Sequence, residues 1–547
     1  MIKEALLLLI TASMAMADDR MGCDTHFDQD AGTNYGPSFL PEMITTTPAI
    51  SWIRDDGNWA LDELSPGVYA EYPTKQQWID AVHSQGLKTV WILEQVPTFY
   101  GTASLGFPAA TNTAAWAKLI PAAANFCAWL AKTEGPEIAA IEVTNEPNNA
   151  FASQVGTGWQ SLLVQLTTAV HDAVHAVSPN TAVIGYGAQG ADVLAMLKQS
   201  QDLDGVVYHP YFNGLSDDIP ESVYESSTYT NYQEWVNTVK AATNLPIWET
   251  EWAANGGDNE EWAAISIGRR LPMAFWNGIK HTFYYEFCSQ DTSQAITDYN
   301  QLPREQYYVI DRICAELTPD LLPDTHTPTA TSADPNFDAP NFMAFNFANG
   351  SGTTVAAEWH GNVKDPGTIG WSPTANGIQQ CSLTVYHPAP TGTVIATDVL
   401  SGESWAPTWT QSGNNVVIAG QVQQSTIMYK ITATGGSTST APTVVQTGSN
   451  AYGAASIGGL SVVFSKPEKA GDTVTVSITH ASAQSVSGVW DLTKNVYKQT
   501  STSTLNNITT EVWTASPIVA CGYDNVTGVT FSAATFSPSI TVTEVTQ

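Results

Sequence analysis

The chain begins with a long stretch in which short apolar runs alternate with segments of helical periodicity. Up to about residue 318, the apolar runs are rich in Val, Ile, Trp and Tyr, a composition that favours buried strands. The predicted strands are Gly22–Phe27, Ile50–Asp55, Leu87–Leu93, Ala139–Thr144, Thr181–Gly185, Gly205–Tyr208, Pro246–Glu251 and His281–Phe287.

Amphipathic helical patterns separate most of these runs. In residues 74–85, Trp78, Ala81 and Val82 recur at helical spacing, and residues 113–132 and 158–177 are longer examples. Eight strands, each followed by a helical segment, predict a (β/α)8 TIM barrel. An open doubly wound sheet is the alternative, but no glycine-rich nucleotide loop follows the first strand.

Beyond the eighth strand the pattern contains only β signals. Residues 318–340 are rich in Pro, Asp and Thr and are interpreted as a connector. We therefore predict an α/β fold in which a barrel over residues 18–320 is followed by two all-β sandwich domains. The sandwiches are placed at residues 321–434 and 446–547, with a linker at 435–445. The second sandwich is either a carbohydrate-binding domain or an immunoglobulin-like spacer.

The charge of the chain limits its partners. Among 547 residues there are 20 Lys+Arg and 52 Asp+Glu, which gives a formal net charge of −32. A chain this acidic repels phosphate backbones and anionic headgroups, so we expect neither a nucleic-acid partner nor a membrane-surface partner. A neutral, hydroxyl-rich partner such as a carbohydrate fits this charge better.

The amino terminus has the pattern of a secretory signal peptide over residues 1–17. Lys3 precedes an apolar run over residues 5–12, and Ala15-Met16-Ala17 forms a small-residue cleavage site. The protein is therefore expected to be secreted, extracellular or periplasmic, and no later stretch is long and apolar enough for a membrane span. Six scattered cysteines allow 15 full disulfide connectivities, and the sequence does not choose among them.

Two acidic motifs stand at the ends of predicted strands. Asn145-Glu146-Pro147 follows the fourth strand, and Thr250-Glu251 ends the seventh. Because the carboxyl ends of barrel strands carry the active site, Glu146 and Glu251 are expected to face each other. Glycoside hydrolysis needs such a pair, a proton donor for the leaving oxygen and a second carboxylate. The charge on Glu251 is expected to raise the pKa of Glu146, as a proton donor requires.

With His209-Pro210-Tyr211 between them, these motifs resemble glycoside hydrolase clan A, whose members are retaining (β/α)8-barrel glycosidases. Trp52-Ile53-Arg54 with a nearby Trp59, and then Gly86-Leu87-Lys88, are similar to its families 39 and 5. The resemblance extends over roughly residues 20–318.

The resemblance implies a role for each matched residue. Glu146 would be the acid/base and Glu251 the nucleophile. Asn145 would bind the sugar 2-hydroxyl, and Arg54 would lie beneath the nucleophile and hold it ionised, as a permanently charged guanidinium can. The residues implied to line the site at the sixth strand are His209 and Tyr211, with Tyr211 close to the nucleophile.

Glu249 departs from the clan pattern, which has an apolar residue at that position. Since side chains alternate along a strand, Glu249 and Glu251 are predicted to point to the same side, and Glu249 is an alternative nucleophile. Glu142 and Glu146 are also an even number of residues apart, so Glu142 is in the same way an alternative to Glu146. A structural ion pair between Arg54 and one of the two aspartates that follow it is also left open.

Aromatic residues supply a further set of candidates, because pyranose faces stack on flat rings. Trp52, Trp59, Trp252 and Trp276 are the best placed for sugar subsites, with ordinary packing as the alternative for each. We identify neither an HExxH motif nor paired ligand spacing among the ten histidines, so neither a metal site nor a cofactor is expected.

Together these features predict a secreted retaining glycoside hydrolase that cleaves β-glycosidic bonds of a polysaccharide or oligosaccharide by double displacement. Two alternatives stay open. One is a non-catalytic glycan-binding surface protein on a degenerate barrel, and the other is a transglycosylase that uses the same residues.

Overall fold

Eight parallel strands close into a barrel in the computed structural model of the chain. The structure describes residues 18–27, 49–100, 106–187, 190–211, 221, 231–254, 260–289, 295–298, 303–333, 337, 339–361, 378–434, 444–451, 456–463, 473–481, 485–491, 497–505, 508–515, 526–536 and 539–545. The barrel strands are β1 (Met21–Asp24), β2 (Trp52–Asn58), β3 (Lys88–Glu94), β4 (Ile138–Glu142), β5 (Ala182–Gly185), β6 (Gly205–Tyr208), β7 (Ile247–Trp252) and β8 (His281–Tyr284).

Each barrel strand pairs with the next strand in the chain, and β1 pairs with both β2 and β8. The predicted (β/α)8 barrel is therefore confirmed, and all eight predicted strands overlap observed ones. The described helices are α1 (Trp59–Asp62), α2 (Pro73–Ser84), α3 (Thr113–Glu134), α4 (Ala150–Val155), α5 (Trp159–His175), α6 (Gly190–Leu197), α7 (Tyr232–Ala242), α8 (Glu260–Trp276) and α9 (Glu305–Glu316).

Local sequence signals fix where the helices begin and end. The side chain of Asn112 accepts a hydrogen bond from the Ala115 amide at the start of α3, and Gly135 ends that helix with φ +57°. Asn231 caps α7 in the same way through the Glu234 amide. Inside the barrel, apolar side chains from seven strands fill one buried layer, formed by Trp52, Val90, Ala140, Ile184, Val207, Trp248 and Phe283.

Antiparallel sheets follow the barrel, which confirms the predicted β-sandwich domains. The chain divides into two compact units, residues 1–349 with 354–386 and 419–426, and residues 350–353 with 387–418 and 427–547. In the first unit, the strands after the barrel are β9 (Leu322–Asp324), β10 (Thr329–Thr331), β11 (Phe342–Ala348), β12 (Thr353–His360) and β13 (Gln379–Tyr386).

The predicted connector at residues 318–340 is wrong in part, because it contains β9 and β10. β9 pairs antiparallel with β11, and β10 pairs antiparallel with β13. Pro323 within β9 explains why the sequence does not predict a strand there, since proline is tolerated in a sheet chiefly at its edges. β9 is an edge strand of its sheet.

The second unit consists of antiparallel strands. Its strands are β14 (Thr391–Asp398), β15 (Ser404–Trp405), β16 (Trp409–Ser412), β17 (Asn415–Val422, in part), β18 (Ile427–Ala433), β19 (Val444–Ala451), β20 (Ser456–Val463), β21 (Thr473–Ala481), β22 (Val486–Asp491), β23 (Lys498–Leu505), β24 (Ile508–Ala515), β25 (Val526–Phe536) and β26 (Ser539–Val545). The last eight form a five-stranded and a three-stranded sheet, ordered β19-β26-β21-β24-β23 and β20-β25-β22.

Several sequence predictions fall outside the described residues. They include the signal peptide at residues 1–17, most of the linker and Cys521. The five described cysteines, Cys23, Cys127, Cys288, Cys314 and Cys381, are buried free thiols. Among the described helices, none has the length and apolar character to cross a membrane.

Candidate active site

The carboxyl ends of β4 and β7 bring Glu146 and Glu251 together. One carboxylate oxygen of each residue lies within 4.8 Å of the other, and both lie within that distance of a ring nitrogen of His209. The Glu146 side chain is 35% exposed and that of Glu251 only 12%. One carboxylate therefore faces the open side of the site, and the other lies deeper in the barrel.

The backbone after β4 is bent to present Glu146. Thr144 and Glu146 have φ values of +66° and +37°, in the left-handed region that L-residues rarely adopt. Pro147 follows at once and restricts the backbone further. The side-chain amide of Asn149 donates to Glu146 Oε2 at 2.7 Å, so the carboxylate is held from the adjacent turn.

A bulge in β7 separates the two glutamates of the Glu249-Thr250-Glu251 segment. Glu249 pairs with Thr282 and Trp252 pairs with Tyr284, so a three-residue step in β7 faces a two-residue step in β8. The extra residue changes the alternation of side chains along the strand. The predicted shared orientation of Glu249 and Glu251 is therefore wrong.

Glu249 lies within the wall of the barrel and is fully buried. Its carboxylate accepts hydrogen bonds from Tyr232 of α7 and from Thr282 Oγ1. Burial raises its pKa, partly offset by the charge of Arg270 and by these hydrogen bonds. Glu251 instead points into the site, where Arg54 and Tyr211 contact it. The geometry thus favours Glu251 over Glu249 as the reactive carboxylate.

Arg54 of β2 joins the acidic residues at the base of the site and is itself buried. Its Nε and Nη2 donate to both oxygens of Glu142 at 2.7 and 3.1 Å. Its Nη1 donates to Glu251 Oε2 at 3.2 Å and to Asp24 Oδ1 at 3.1 Å. Nη2 also reaches Asn145 Oδ1 at 2.9 Å. Arg54 thus lies beneath Glu251, while of the two aspartates that follow it, Asp55 accepts from Thr25 Oγ1 and Asp56 lies 2.9 Å from His26 Nδ1.

His209 and Tyr211, just after β6, complete the contacts of the two acids. Tyr211 donates its hydroxyl proton to Glu251 Oε1 at 2.6 Å. His209 Nδ1 lies 3.3 Å from Glu146 Oε1, and its Nε2 lies 3.1 Å from Thr250 Oγ1. The structure therefore places His209 and Tyr211 where the sequence predicts them.

Charges at close range set the protonation of this group. Burial would raise the pKa of Glu142, but the Arg54 charge and hydrogen bonds from His209 and Arg54 lower it to about 2. Burial would lower the pKa of His209, but the charge of Glu251 and hydrogen bonds to Glu142 and Glu146 raise it to about 10. The imidazole is thus a cation at neutral pH and donates from both nitrogens.

The expectation of a raised pKa for Glu146 is wrong for the unliganded protein. The hydrogen bond from His209 lowers the pKa of Glu146, and this outweighs the opposing effect of burial. Glu146, His209 and Glu251 each offer one atom at a spacing that a metal ion could bridge. A metal at His209 would first have to displace the proton that the neighbouring carboxylates favour on its ring.

Comparison with known proteins adds evidence on the fold. No protein-family model matches the chain, and no curated protein matches it. Among solved structures, a family 39 glycoside hydrolase from Bacteroides cellulosilyticus WH2 superposes with a TM-score of 0.54 at 17% identity, covering 76% of this chain and 81% of that one. The chain shares the fold of this glycoside hydrolase.

Two further structures are similar over most of their lengths. One is a family 30 subfamily 8 xylanase from Clostridium acetobutylicum, with a TM-score of 0.48 and 11% identity, covering 77% of this chain and 98% of that one. The other is a family 5 glycoside hydrolase from Bacteroides vulgatus, with a TM-score of 0.46 and 9% identity, covering 76% and 89%.

The four tryptophans predicted for sugar subsites are held by ring packing and hydrogen bonds. Trp52 is packed in the barrel core, with its ring against Trp248, because it begins β2 rather than ending it. Trp59 is fully buried and stacks on Phe126. Trp252 is fully buried and donates to Thr282. Trp276, the last residue of α8, donates to the carbonyl of Asp324 in β9. Large aromatic rings are well suited to filling a core, and packing decides all four positions.

A second polar cluster, formed by His26, Asp56, Glu94 and Tyr285, lies at the same end of the barrel. The sequence alone does not bring these residues together. His26 Nδ1 lies 2.9 Å from Asp56 Oδ2, and its Nε2 lies 3.0 Å from the Tyr285 hydroxyl. Burial would lower the pKa of His26, but Asp56 raises it to about 9. Nearby Glu94 has a pKa raised to about 8 by burial and by the charge of Asp56. The signal for these residues is that each follows or ends a strand at the carboxyl end of the barrel.

Asp24 was also missed. It ends β1, is buried and accepts from Arg54. Burial raises its pKa well above the ordinary value, although the Arg54 charge opposes this.

Proposed function

We propose that the protein is a retaining glycoside hydrolase with Glu251 as nucleophile and Glu146 as acid/base. The observation that carries this proposal is the separation of the two carboxylates, whose nearest oxygens lie within 4.8 Å. Retaining glycosidases hold their carboxyl groups about 5–5.5 Å apart, whereas inverting enzymes leave roughly 6.5–9.5 Å for a water. This separation of the nearest oxygens is closer to the retaining geometry than to the inverting one, which supports direct attack by one carboxylate.

Glu251 has the surroundings that a nucleophile needs. Arg54 and Tyr211 donate to its two oxygens, and the guanidinium is permanently charged. These contacts hold both oxygens of the carboxylate in place before the reaction. In the first step, a Glu251 oxygen would bond to the anomeric carbon while the bond from that carbon to the leaving oxygen breaks, forming a glycosyl ester.

Glu146 is placed to move the proton that each half-reaction requires. It is the more exposed of the two acids, so the leaving group and the incoming water can reach it. The leaving oxygen would take its proton from Glu146. Water would then attack the ester with Glu146 as base, which restores both carboxyl groups.

His209 lies between the two acids, so the charge on Glu251 affects how tightly the imidazole holds its proton. Its Nδ1 lies 3.3 Å from Glu146 and 3.7 Å from Glu251. Forming the ester removes the negative charge on Glu251, which helps to keep His209 protonated in the free protein. The proton would therefore be held less tightly by the imidazole once the covalent intermediate forms.

The substrate class proposed is a neutral, β-linked polysaccharide or oligosaccharide, met outside the cell. The net charge of −32 and the amino-terminal signal pattern support an uncharged extracellular partner. The shared fold with a family 39 glycoside hydrolase is consistent with carbohydrate chemistry.

The test replaces the nucleophile after a panel of β-linked glycans and aryl glycosides has identified a substrate. Glu251→Ala should lower kcat at least about 10⁴-fold. Azide should restore turnover and give a glycosyl azide of inverted configuration, because the anion attacks from the vacated face. Glu249→Gln is the matched control, a carboxylate lost two residues away, and it should retain turnover without azide.

Full activity in Glu251→Ala would reject the assignment. Glycan binding by the wild type without any released reducing sugar would favour a binding protein instead. Products in which a second sugar replaces water, when acceptor is abundant, would favour a transglycosylase with the same two acids.

A further inference from the structure

A second cluster of metal-binding groups lies at the opposite end of the barrel. His171 and His175 are four residues apart on α5, so their side chains lie on the same face of the helix. Asp204 directly precedes β6 and thus lies at the amino end of a barrel strand. Glu146 and Glu251, in contrast, are at the carboxyl ends of β4 and β7.

The three side chains converge on one point. His175 Nε2 lies 2.8 Å from Asp204 Oδ2, and His171 Nε2 lies 3.9 Å from Asp204 Oδ1. One donor atom from each residue lies within 4.8 Å of the other two. The two imidazole rings lie 4.2 Å apart, centroid to centroid, and are inclined by only 33°, so both Nε2 atoms face the same carboxylate.

Neighbouring hydrogen-bonding groups orient His171 and Asp204, as such groups commonly do for metal ligands. His171 Nδ1 lies 3.4 Å from Asp172 Oδ1, which favours the tautomer that leaves Nε2 free to bind a metal. Histidine ligands generally use their second nitrogen in this way, toward a carboxylate or carbonyl. The Val183 amide donates to Asp204 Oδ2 at 2.7 Å and fixes the carboxylate against β5.

We propose that His171, His175 and Asp204 bind a divalent transition-metal ion such as Zn²⁺. Two imidazoles and one carboxylate match the nitrogen and oxygen ligands that zinc prefers, whereas Ca²⁺ and Mg²⁺ prefer oxygen alone. Water would fill the remaining position. The side chains of the three residues are 21–30% exposed, so an ion can enter from solvent.

Binding requires only small changes in these side chains. A tetrahedral zinc ion with bonds of about 2.0–2.1 Å holds its ligand atoms roughly 3.3 Å apart. His175 Nε2 is closer than this to Asp204 Oδ2, at 2.8 Å, and His171 Nε2 is farther from the other oxygen, Oδ1, at 3.9 Å. The metal would take the place of the hydrogen bond between His175 Nε2 and Asp204 Oδ2. An occupied site would link the end of α5 to the start of β6.

This inference does not depend on the proposed glycosidase activity. It differs from the expectation of no metal site, which overlooked the paired spacing of His171 and His175 on one helix. The helix supplies two ligands at a visible spacing, but only the fold brings Asp204 to them.

Isothermal titration of the untagged full-length protein with ZnCl2, at neutral pH in a non-coordinating buffer, tests the site. Wild type should bind one equivalent at this site. His171→Ala and His175→Ala should each weaken that binding at least about tenfold, since even loss of an outer partner costs that much. His83→Ala, which removes an exposed histidine from α2, is the matched control and should bind as wild type does.

A second readout separates this site from the acids at the other barrel end. Saturating Zn²⁺ should raise the melting temperature of wild type, His83→Ala and Glu146→Gln, but not that of His171→Ala or His175→Ala. Zinc binding that survives in both histidine variants but is lost in Glu146→Gln would overturn the proposal. So would a wild type that shows neither heat of binding nor a change in melting temperature at millimolar zinc.

Discussion

Glu142→Gln removes one charge from the most buried ion pair of the site while keeping the size of the side chain. Glu142 is completely buried, and both of its oxygens accept from Arg54. The amide has one acceptor oxygen and presents an NH2 group to the guanidinium. Arg54 thereby loses its closest counter-charge in a place where water cannot replace it. We expect a protein that folds but melts at a lower temperature.

The magnitude follows from the pKa of the carboxyl group. It is about 2 in the folded protein, against an ordinary value of 4.5. At about 1.4 kcal/mol per pH unit, this gap corresponds to roughly 3 kcal/mol of folding free energy. Removing one partner of a buried pair costs a similar amount in other proteins, about 3–5 kcal/mol. For a large domain this predicts a fall in melting temperature of about 6–12 °C.

The dependence on pH distinguishes this cause from simple loss of packing. A lowered carboxyl pKa contributes stability that is present above pH 4.5 and is lost as the pH falls towards 2. The difference between wild type and Glu142→Gln should therefore be constant from pH 5 to 8 and shrink below that range. Glu71→Gln, an exposed glutamate of the same barrel, is the control and should melt within about 1 °C of wild type. A difference that stays the same down to pH 3, or no difference at pH 7, would refute the reasoning.

Two further variants test the contacts of the acids. His209→Gln removes the cation that lowers the pKa of Glu146. Because the proton donor then loses its proton at a higher pH, the alkaline limb of kcat/KM should move upward, and an unmoved limb would contradict this role. Tyr211→Phe removes the hydroxyl that donates to Glu251. It should lower kcat about 10–100-fold with little change in KM or melting temperature, as expected for a charge-assisted hydrogen bond, and a change confined to KM would argue against it.

Much of the barrel follows directly from the sequence. Each predicted strand overlaps an observed one because parallel barrel strands are continuous apolar runs with clear ends. The positions of Arg54, His209 and Tyr211 relative to Glu251 also match the expectation, since strand-end residues of a closed barrel must meet at one face.

Other features depend on contacts that no local pattern contains. The lowered pKa of Glu146 arises from an imidazole 63 residues away in the chain. The burial of Trp59 depends on Phe126, which a helix brings to it. The short strand β9 carries a proline and is recognised only by its pairing with β11. In each case the outcome is set by a neighbour in space that the sequence alone does not identify.

The irregularity in β7 means that the spacing of residues matters there as much as their identity. Ahead of it, Glu249 belongs to the helix-facing layer, and after it Glu251 belongs to the cavity. If the strand kept all its residues but lost the bulge, strict alternation would turn Glu251 towards the helices together with Glu249. The chain could keep every acidic residue and still lose its reactive one, so homologues should be aligned by strand register before their glutamates are compared.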